Sequence, residues 1–223
     1  MNVFFEKAVP VWVTGREKEM NLRAQFKAVF GKGKNIIAKI ATSGIYHMSV
    51  NGKFVCYGPA RAGRGFFRVD EIDLTPFADQ EQNTVIIEVC GYNARSYYLI
   101  KQDSFLTAEL SADGRVEAYT GNNFTARINP EYIKKIQRYS FQRPFAESYR
   151  IIDGDTYFTD AVQGTEPLSG MPQPKYLKRS TPYPLYEKTG AKRILGGTFS
   201  FSERDEYWRN GAFDALVAIR VSF

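Results

Sequence analysis

Short runs in which apolar and polar residues alternate constrain the fold of this chain more than any other feature. From Leu22 to Phe30 every second residue is apolar, and Arg23, Gln25 and Lys27 stand between them. A period of two predicts a β-strand with one buried face. The same pattern recurs in several later segments, and no amphipathic helical period precedes residue 200. The sequence therefore predicts an all-β protein. The later segments are residues 36–40, 46–50, 83–90, 105–111 and 116–119.

Turn sequences separate these runs at the points where hairpins would form. Asn51-Gly52 is a strong hairpin sequence, because both residues tolerate a positive φ angle, and Asp113-Gly114 is a second tight turn. Residues 73–77 fit a short helical turn capped by an Asp or Thr side chain. Many short strands with regular turns are typical of a sandwich or jelly roll. We expect a β-sandwich of the jelly-roll type.

The composition of the chain changes near residue 163. Five prolines occur among glycine, serine and threonine over residues 163–190, which predicts an extended, proline-rich linker or arm. Residues 194–201 fit a new strand, and residues 212–223 are apolar, which predicts a further β domain cut short. We expect a β-sandwich over residues 1–162, the linker or arm over 163–190 and the start of a following domain over 191–223.

Bulk properties exclude several classes of partner. The net charge is +6, but Lys and Arg alternate with Asp and Glu along the whole chain, which indicates a solvated surface and no nucleic-acid partner. No apolar run could span a bilayer, so no membrane partner is expected. Cys56 and Cys90 each lie in an apolar run and predict buried free thiols, with a single disulfide as the alternative. These thiols, without a visible signal peptide, favour a cytoplasmic protein.

Residues that could perform catalysis are sparse. His47 is the only histidine, it alternates with Tyr46 and Met48, and no nucleophile-elbow sequence accompanies it. The acidic groups lie in turns, where carboxylates serve as caps and solvated ends. A structural calcium ion bound by the carboxylate oxygens of Asp153 and Asp155 is a minor alternative. We expect no catalytic residue, no metal site and no cofactor. The other acidic groups are Asp70, Glu71 and Asp73, and Glu203, Asp205 and Glu206.

One group of aromatic and polar residues fits carbohydrate recognition. Tyrosine faces stack on the C–H faces of a sugar ring, and amide or guanidinium groups bond its hydroxyls. Tyrosines that pack at the ends of a sheet are the structural alternative. The candidate carbohydrate-binding residues are Tyr57, Arg61, Tyr92, Asn93, Arg95, Tyr97, Tyr98 and Gln102.

An ordered series of motifs carries a family resemblance. Asn51-Gly52 followed by Gly58-Pro59-Ala60-Arg61 is its most compact part. The series resembles the N-terminal module of bacterial alpha-L-rhamnosidases, glycoside hydrolase family 78, over roughly residues 8–190. The remaining motifs are residues 26–30, 46–50, 73–77, 83–85, 91–93, 96–98, 102, 105–110 and 142–149.

The resemblance implies a jelly-roll module of the galactose-binding-like type at the start of a multidomain enzyme. In that family the catalytic acid and base lie in a downstream helical barrel, and this sequence has no helical period from which to build one. The first hypothesis is therefore a noncatalytic accessory module that packs on the downstream catalytic domain of the same polypeptide and contacts carbohydrate. An independent lectin-like carbohydrate-binding domain is the alternative. A self-contained enzyme, with two carboxylates in one pocket, is the third hypothesis.

Overall fold

The computed structural model describes residues 4–97, 99–138, 140–152, 165–168, 174–187, 190, 198–204 and 216–222. The chain divides into two compact units, Met1–Tyr183 and Pro184–Phe223. Within the described residues the regular structure is all β apart from one 3₁₀ turn, Thr75–Phe77, as the alternation predicted. None of these residues belongs to a helix that is long and apolar enough to cross a membrane.

The strands are named in chain order. They are β1 (Val11–Val13), β2 (Leu22–Gly31), β3 (Ile36–Thr42), β4 (Ile45–Val50), β5 (Lys53–Gly58), β6 (Phe66–Asp73), β7 (Gln82–Gly91), β8 (Leu106–Ala112), β9 (Arg115–Tyr119), β10 (Thr125–Ile128), β11 (Thr165–Pro167), β12 (Lys175–Lys178), β13 (Thr198–Arg204) and β14 (Leu216–Ser222).

One sheet of the first unit contains five strands in the order β10-β2-β7-β4-β5. All neighbours in it are antiparallel, and β2 pairs with β7 over ten residues, from Leu22 opposite Gly91 to Gly31 opposite Gln82. The hairpin between β4 and β5 turns at Asn51 and Gly52, with φ angles of 50° and 74°. This left-handed pair confirms the turn that the Asn-Gly sequence predicted.

The second sheet contains seven strands in the order β11-β1-β8-β3-β6-β12, and β9 also pairs with β8. Its pairs are antiparallel except β12 with β6, which is parallel. Two of its strands, β11 and β12, come from the proline-containing segment. That segment therefore supplies hydrogen-bonded strands to the sheet. In the second unit, β13 pairs with β14.

The hydrophobic core lies between the two sheets of the first unit, which makes the unit a β-sandwich. Alternate residues of β2, such as Phe26 and Phe30, are buried, as the period of two requires. Trp12 from β1 is fully buried, and its ring centroid lies 5.5 Å from that of Phe26. Each large side chain buried in this way stabilises the fold by about 1.5–3 kcal/mol. The core therefore depends on residues from both sheets.

Both cysteines are free and buried, as their apolar surroundings predicted. Burial raises the pKa of Cys56 to about 11 and that of Cys90 to about 12. Both thiols are therefore protonated at neutral pH, and they behave as small apolar side chains.

A buried polar cluster around Asp70 joins the two sheets to the proline-containing segment. Asp70 is fully buried on β6, and the Tyr46 hydroxyl from β4 donates a 2.7 Å hydrogen bond to it. Arg179, which directly follows β12, donates a 2.8 Å hydrogen bond to the other carboxylate oxygen. A Cβ atom at Gly58 would collide with both Asp70 and Tyr46, so only glycine fits there. The cluster fixes residue 179 against the sandwich.

Replacing Asp70 by Asn should destabilise the protein strongly. The substitution keeps the size of the side chain but leaves the Arg179 guanidinium, whose side chain is only 9% exposed, without its countercharge. We expect the free energy of unfolding to fall by about 3 kcal/mol, measured by urea denaturation.

Glu71→Gln is the matched control, because Glu71 is the exposed neighbour of Asp70 on the same strand. Its effect should stay within about 0.5 kcal/mol. Equal effects of the two substitutions would contradict the role assigned to the buried ion pair.

Candidate functional site

A polar cleft of about 520 Å³ lies on the outward face of the five-stranded sheet. Its volume is in the range typical of sites for small ligands. We call it the sheet cleft. Its polar lining consists of Arg23, Gln25, His47, Glu88, Asn129, Glu131 and Glu147, and its aromatic lining includes Tyr57, Tyr92 and Tyr149.

Strand alternation places the polar side chains of the sheet cleft. Arg23 and Gln25 occupy positions on β2 that alternate with the buried core residues. On the neighbouring strand β7, Glu88 stands opposite Gln25, and Cys90 stands opposite Arg23. Side chains opposite each other on antiparallel strands lie close enough to interact. The floor of the cleft is thus fixed by the pairing of β2 with β7.

Glu88 is the centre of the hydrogen-bond network on this floor. Its side chain is only 13% exposed, and it accepts hydrogen bonds from Gln25 at 2.8 Å, Asn129 at 2.7 Å and Arg23 at 3.2 Å. Arg127 donates in turn to the Gln25 side-chain oxygen at 2.8 Å. A carboxylate that accepts three hydrogen bonds holds its neighbours in fixed orientations. The floor is therefore a preorganised polar surface.

Arg23 connects the floor of the cleft to its rim. Its guanidinium donates to the Tyr149 hydroxyl and to Glu147, both at 2.6 Å, and it lies 4.4 Å from the Tyr132 ring centroid. Among the described residues, the buried Arg23 Nε has no hydrogen-bond acceptor. A buried donor without an acceptor costs free energy.

Three rings form an aromatic platform at the β5 side of the sheet. The His47 ring stacks on Phe54 and lies beside Tyr57, with centroid separations of 5.4 Å in both cases. Tyr57 is 54% exposed and lines the sheet cleft. An exposed aromatic face next to fixed polar groups is the combination that binds sugar rings.

The residues predicted to bind carbohydrate divide among several places. Tyr57 and Tyr92 line the sheet cleft. Tyr97 is 78% exposed, and its hydroxyl accepts a hydrogen bond from Gln142 at 2.9 Å. Tyr98 lies outside the described residues. The carbohydrate role of all these side chains remains a prediction.

Two further cavities lie between the loops that come after β5 and β7. Arg61 and Gln102 line a small one of about 200 Å³. Asn93, Arg95 and Gln102 line a larger one of about 670 Å³, which we call the loop cavity. The structure thus brings the loop after Gly58 next to the loop after Gly91.

Asn93 has an evident structural role in this region. Its side chain is buried and donates to the Glu17 carbonyl at 2.8 Å and to the Ser104 hydroxyl at 2.9 Å. Its φ angle is 44°, a left-handed conformation that asparagine tolerates. Asn93 therefore fastens the loop after β7 to the turn that contains Glu17.

Sequence reasoning misses most of the sheet cleft. In the sequence Arg23 and Gln25 are only the polar half of an alternating strand, and no motif marks Glu88. Large hydrogen-bonding side chains at outward positions of two neighbouring strands could have indicated the cleft, but the pairing of those strands was needed to bring them together.

In the described part of the chain, no group of three or more His, Cys, Asp or Glu residues is arranged to hold a metal ion.

Solved structures of rhamnosidases share this fold. A family GH78 rhamnosidase of Bacillus sp. GL1 matches with a TM-score of 0.70 and 21% identity, covering 80% of this chain and 20% of that protein. The alpha-L-rhamnosidase from Aspergillus terreus gives 0.57 and 18%, covering 77% and 22%. That from Dictyoglumus thermophilum gives 0.52 and 13%, covering 81% and 22%.

These matches concern the fold, and they extend over a limited part of each enzyme. The chain spans about a fifth of the length of these rhamnosidases. No family model matches the sequence. No curated protein matches it. The fold is therefore one that occurs as a segment of larger rhamnosidase chains.

The only histidine of the chain offers a direct measurement of the cleft environment. Burial lowers the pKa of His47 below its ordinary 6.5, and the nearby Arg23 adds to this effect, while Glu88 opposes it. The unfolded chain should then bind the proton more readily, so stability should fall as the pH drops below about 6.5. The imidazole C–H resonances, followed by NMR in untagged protein, should titrate with a midpoint below 6.5.

His47→Gln should remove this part of the dependence of stability on pH. The loss of free energy of unfolding between about pH 7 and pH 5 should be smaller in the variant, because its glutamine does not titrate. An imidazole midpoint at or above 6.5 would show that the cleft does not desolvate His47.

Proposed function

We propose that this chain is a noncatalytic β-sandwich module of a larger, rhamnosidase-like glycoside hydrolase. The observation that supports it is the match of about four-fifths of the chain to about a fifth of each of three rhamnosidases. In this proposal the partner of the module is a downstream catalytic domain of the same polypeptide. In it, residues 1–162 supply most of the sandwich, residues 163–190 are an arm that adds β11 and β12 to its second sheet, and residues 191–223 begin the next domain.

The geometry of the sheet cleft supports a noncatalytic role. Glycosidases use one carboxyl group as an acid and a second as a base or nucleophile. Here Glu88 accepts three hydrogen bonds from the floor of the cleft, and Glu147 forms an ion pair with Arg23 at 2.6 Å. The third carboxylate of the cleft, Glu131, accepts a hydrogen bond from the Ile152 amide at 3.0 Å. All three carboxylates are therefore occupied by protein groups, which suits binding better than proton transfer.

The isolated chain should not hydrolyse an aryl alpha-L-rhamnoside. Release of 4-nitrophenol should equal that of a buffer blank, while the full-length Bacillus rhamnosidase serves as the positive control. Turnover that Glu88→Gln or Glu147→Gln abolished would overturn the noncatalytic proposal. A coding sequence that continues beyond residue 223 into a catalytic domain would support the module, and a stop codon there would count against it.

A second candidate function is carbohydrate binding in the sheet cleft, with or without an attached enzyme. The specific observation that favours it is the exposed Tyr57 ring beside the fixed donors and acceptors of Arg23 and Glu88. A sugar ring stacked on Tyr57 would present its hydroxyls to this polar floor.

Tyr57→Ala should weaken the binding of a neutral sugar about fivefold, because it removes the stacking face. Calorimetry with L-rhamnose and with rhamnose-containing oligosaccharides measures the effect. Tyr97→Ala is the matched control, since Tyr97 is an exposed tyrosine that does not line the sheet cleft. Equal losses in both variants, or no binding by the unaltered chain, would exclude the cleft as the sugar site.

A further inference from the structure

The loop cavity carries most of the net charge of the protein. Five cationic side chains line it, and Asp103 is the one acidic residue among its lining residues, which gives the cavity a net charge of +4. The whole chain has a net charge of +6. The lining of this concavity is therefore strongly positive, although Lys and Arg are dispersed along the sequence. The five cationic residues are Lys18, Arg64, Arg95, Lys101 and Lys175.

These cations differ from several other basic residues in having no carboxylate partner among the described residues. Elsewhere, Arg23, Lys53 and Arg179 each form ion pairs with carboxylates. None of the five cations of the loop cavity has such an ion pair within the part of the chain that the structure describes. Lys175 instead lies 5.3 Å from the ring centroid of Phe66. Five like charges grouped around a single acidic residue, Asp103, repel one another, and an anionic ligand would relieve that repulsion.

Buried contacts fix the loops that carry these cations. The Asn93 side chain holds the loop of Arg95 and Lys101 to the turn that contains Glu17, the neighbour of Lys18. The parallel pairing of β12 with β6 places Lys175 opposite Phe66. The cationic residues therefore come from separate chain segments that defined hydrogen bonds bring to one cavity.

We propose that the loop cavity binds an acidic saccharide, one that carries carboxylate or sulfate groups on its rings. The cations would bind those groups, and Phe66, which is 39% exposed, offers an apolar face to a sugar ring. Nucleic acid fits less well, because phosphate backbones bind to extended basic stripes, whereas this charge is confined to one cavity of about 670 Å³. This inference rests on the carbohydrate role proposed above and adds a second site with its own ligand class.

Calorimetric titration of the full chain tests the proposal. The probes are a tetramer of galacturonic acid, a heparin-derived tetrasaccharide and, as the neutral control, a galactose tetramer of equal length. We expect one or both acidic probes to bind and the neutral one to bind at least about tenfold more weakly. Affinity should fall as salt rises from about 50 to about 200 mM, since salt screens exposed charges. The two acidic probes distinguish carboxylate from sulfate as the recognised group.

The double variant Arg95→Gln with Lys101→Gln should weaken acidic-saccharide binding about fivefold or more, because it removes two of the five cations. Lys34→Gln with Arg115→Gln is the matched control. It removes the same charges near the turn between β8 and β9, about 20 Å away along β8. This control should leave the affinity unchanged.

Three outcomes would overturn the inference: no binding of either acidic probe, equal losses in both double variants, or tighter binding of a twelve-residue oligothymidylate through the same cations. The Tyr57 experiment separates this result from the proposed carbohydrate role. If neutral sugar still binds the sheet cleft while the acidic probes fail, only the loop-cavity inference falls. If neither class of sugar binds, the carbohydrate role falls with it.

Discussion

The ion pair between Asp70 and Arg179 is the interaction on which the arrangement of this structure most depends. A fully buried carboxylate must be paired, because an isolated charge in the core costs several kcal/mol. Asp70 accepts hydrogen bonds from a tyrosine hydroxyl of the opposite sheet and from an arginine guanidinium of the segment after β12. If that segment left the sheet, the buried Asp70 carboxylate would lose its cationic partner. The same ion pair fixes the chain directly after β12, the strand whose pairing with β6 places Lys175 at the loop cavity.

The two candidate sites arise from different parts of the sandwich. The sheet cleft is lined by the outward-facing residues of strands whose inward-facing residues build the core. The strand β2, which buries Phe26, therefore also presents Arg23 and Gln25 to the cleft. Its polar groups are paired with one another and held rigidly. The loop cavity lies where connections between strands meet, and its cations remain without carboxylate partners in the described residues. A paired, preorganised surface suits neutral hydroxyls, whereas unpaired charge suits an anion.

The sequence was sufficient to predict the structural elements that depend on patterns of adjacent residues. The alternation of β2 and the Asn51-Gly52 turn each depend on a few adjacent residues, and both were predicted. The short strands β1, β10, β11 and β12 were missed, because three or four residues carry no period and their pairing depends on distant partners. The Asp70–Arg179 pair joins residues 109 apart in sequence, which no local pattern reveals. The jelly-roll connectivity and the carbohydrate role of the eight predicted residues remain predictions.

The aromatic platform beside the sheet cleft lies at an edge of the five-stranded sheet, because β5 is the last strand in its order. An exposed edge can template pairing with a strand from another molecule. Here the register shifts between Met48 and Ser49 opposite β5, and Pro59, which lacks an amide hydrogen, comes directly after the end of that strand. Irregular pairing and proline both discourage strand addition. This edge can thus present Tyr57 and Phe54 to a ligand while resisting the edge-to-edge association that leads to aggregation.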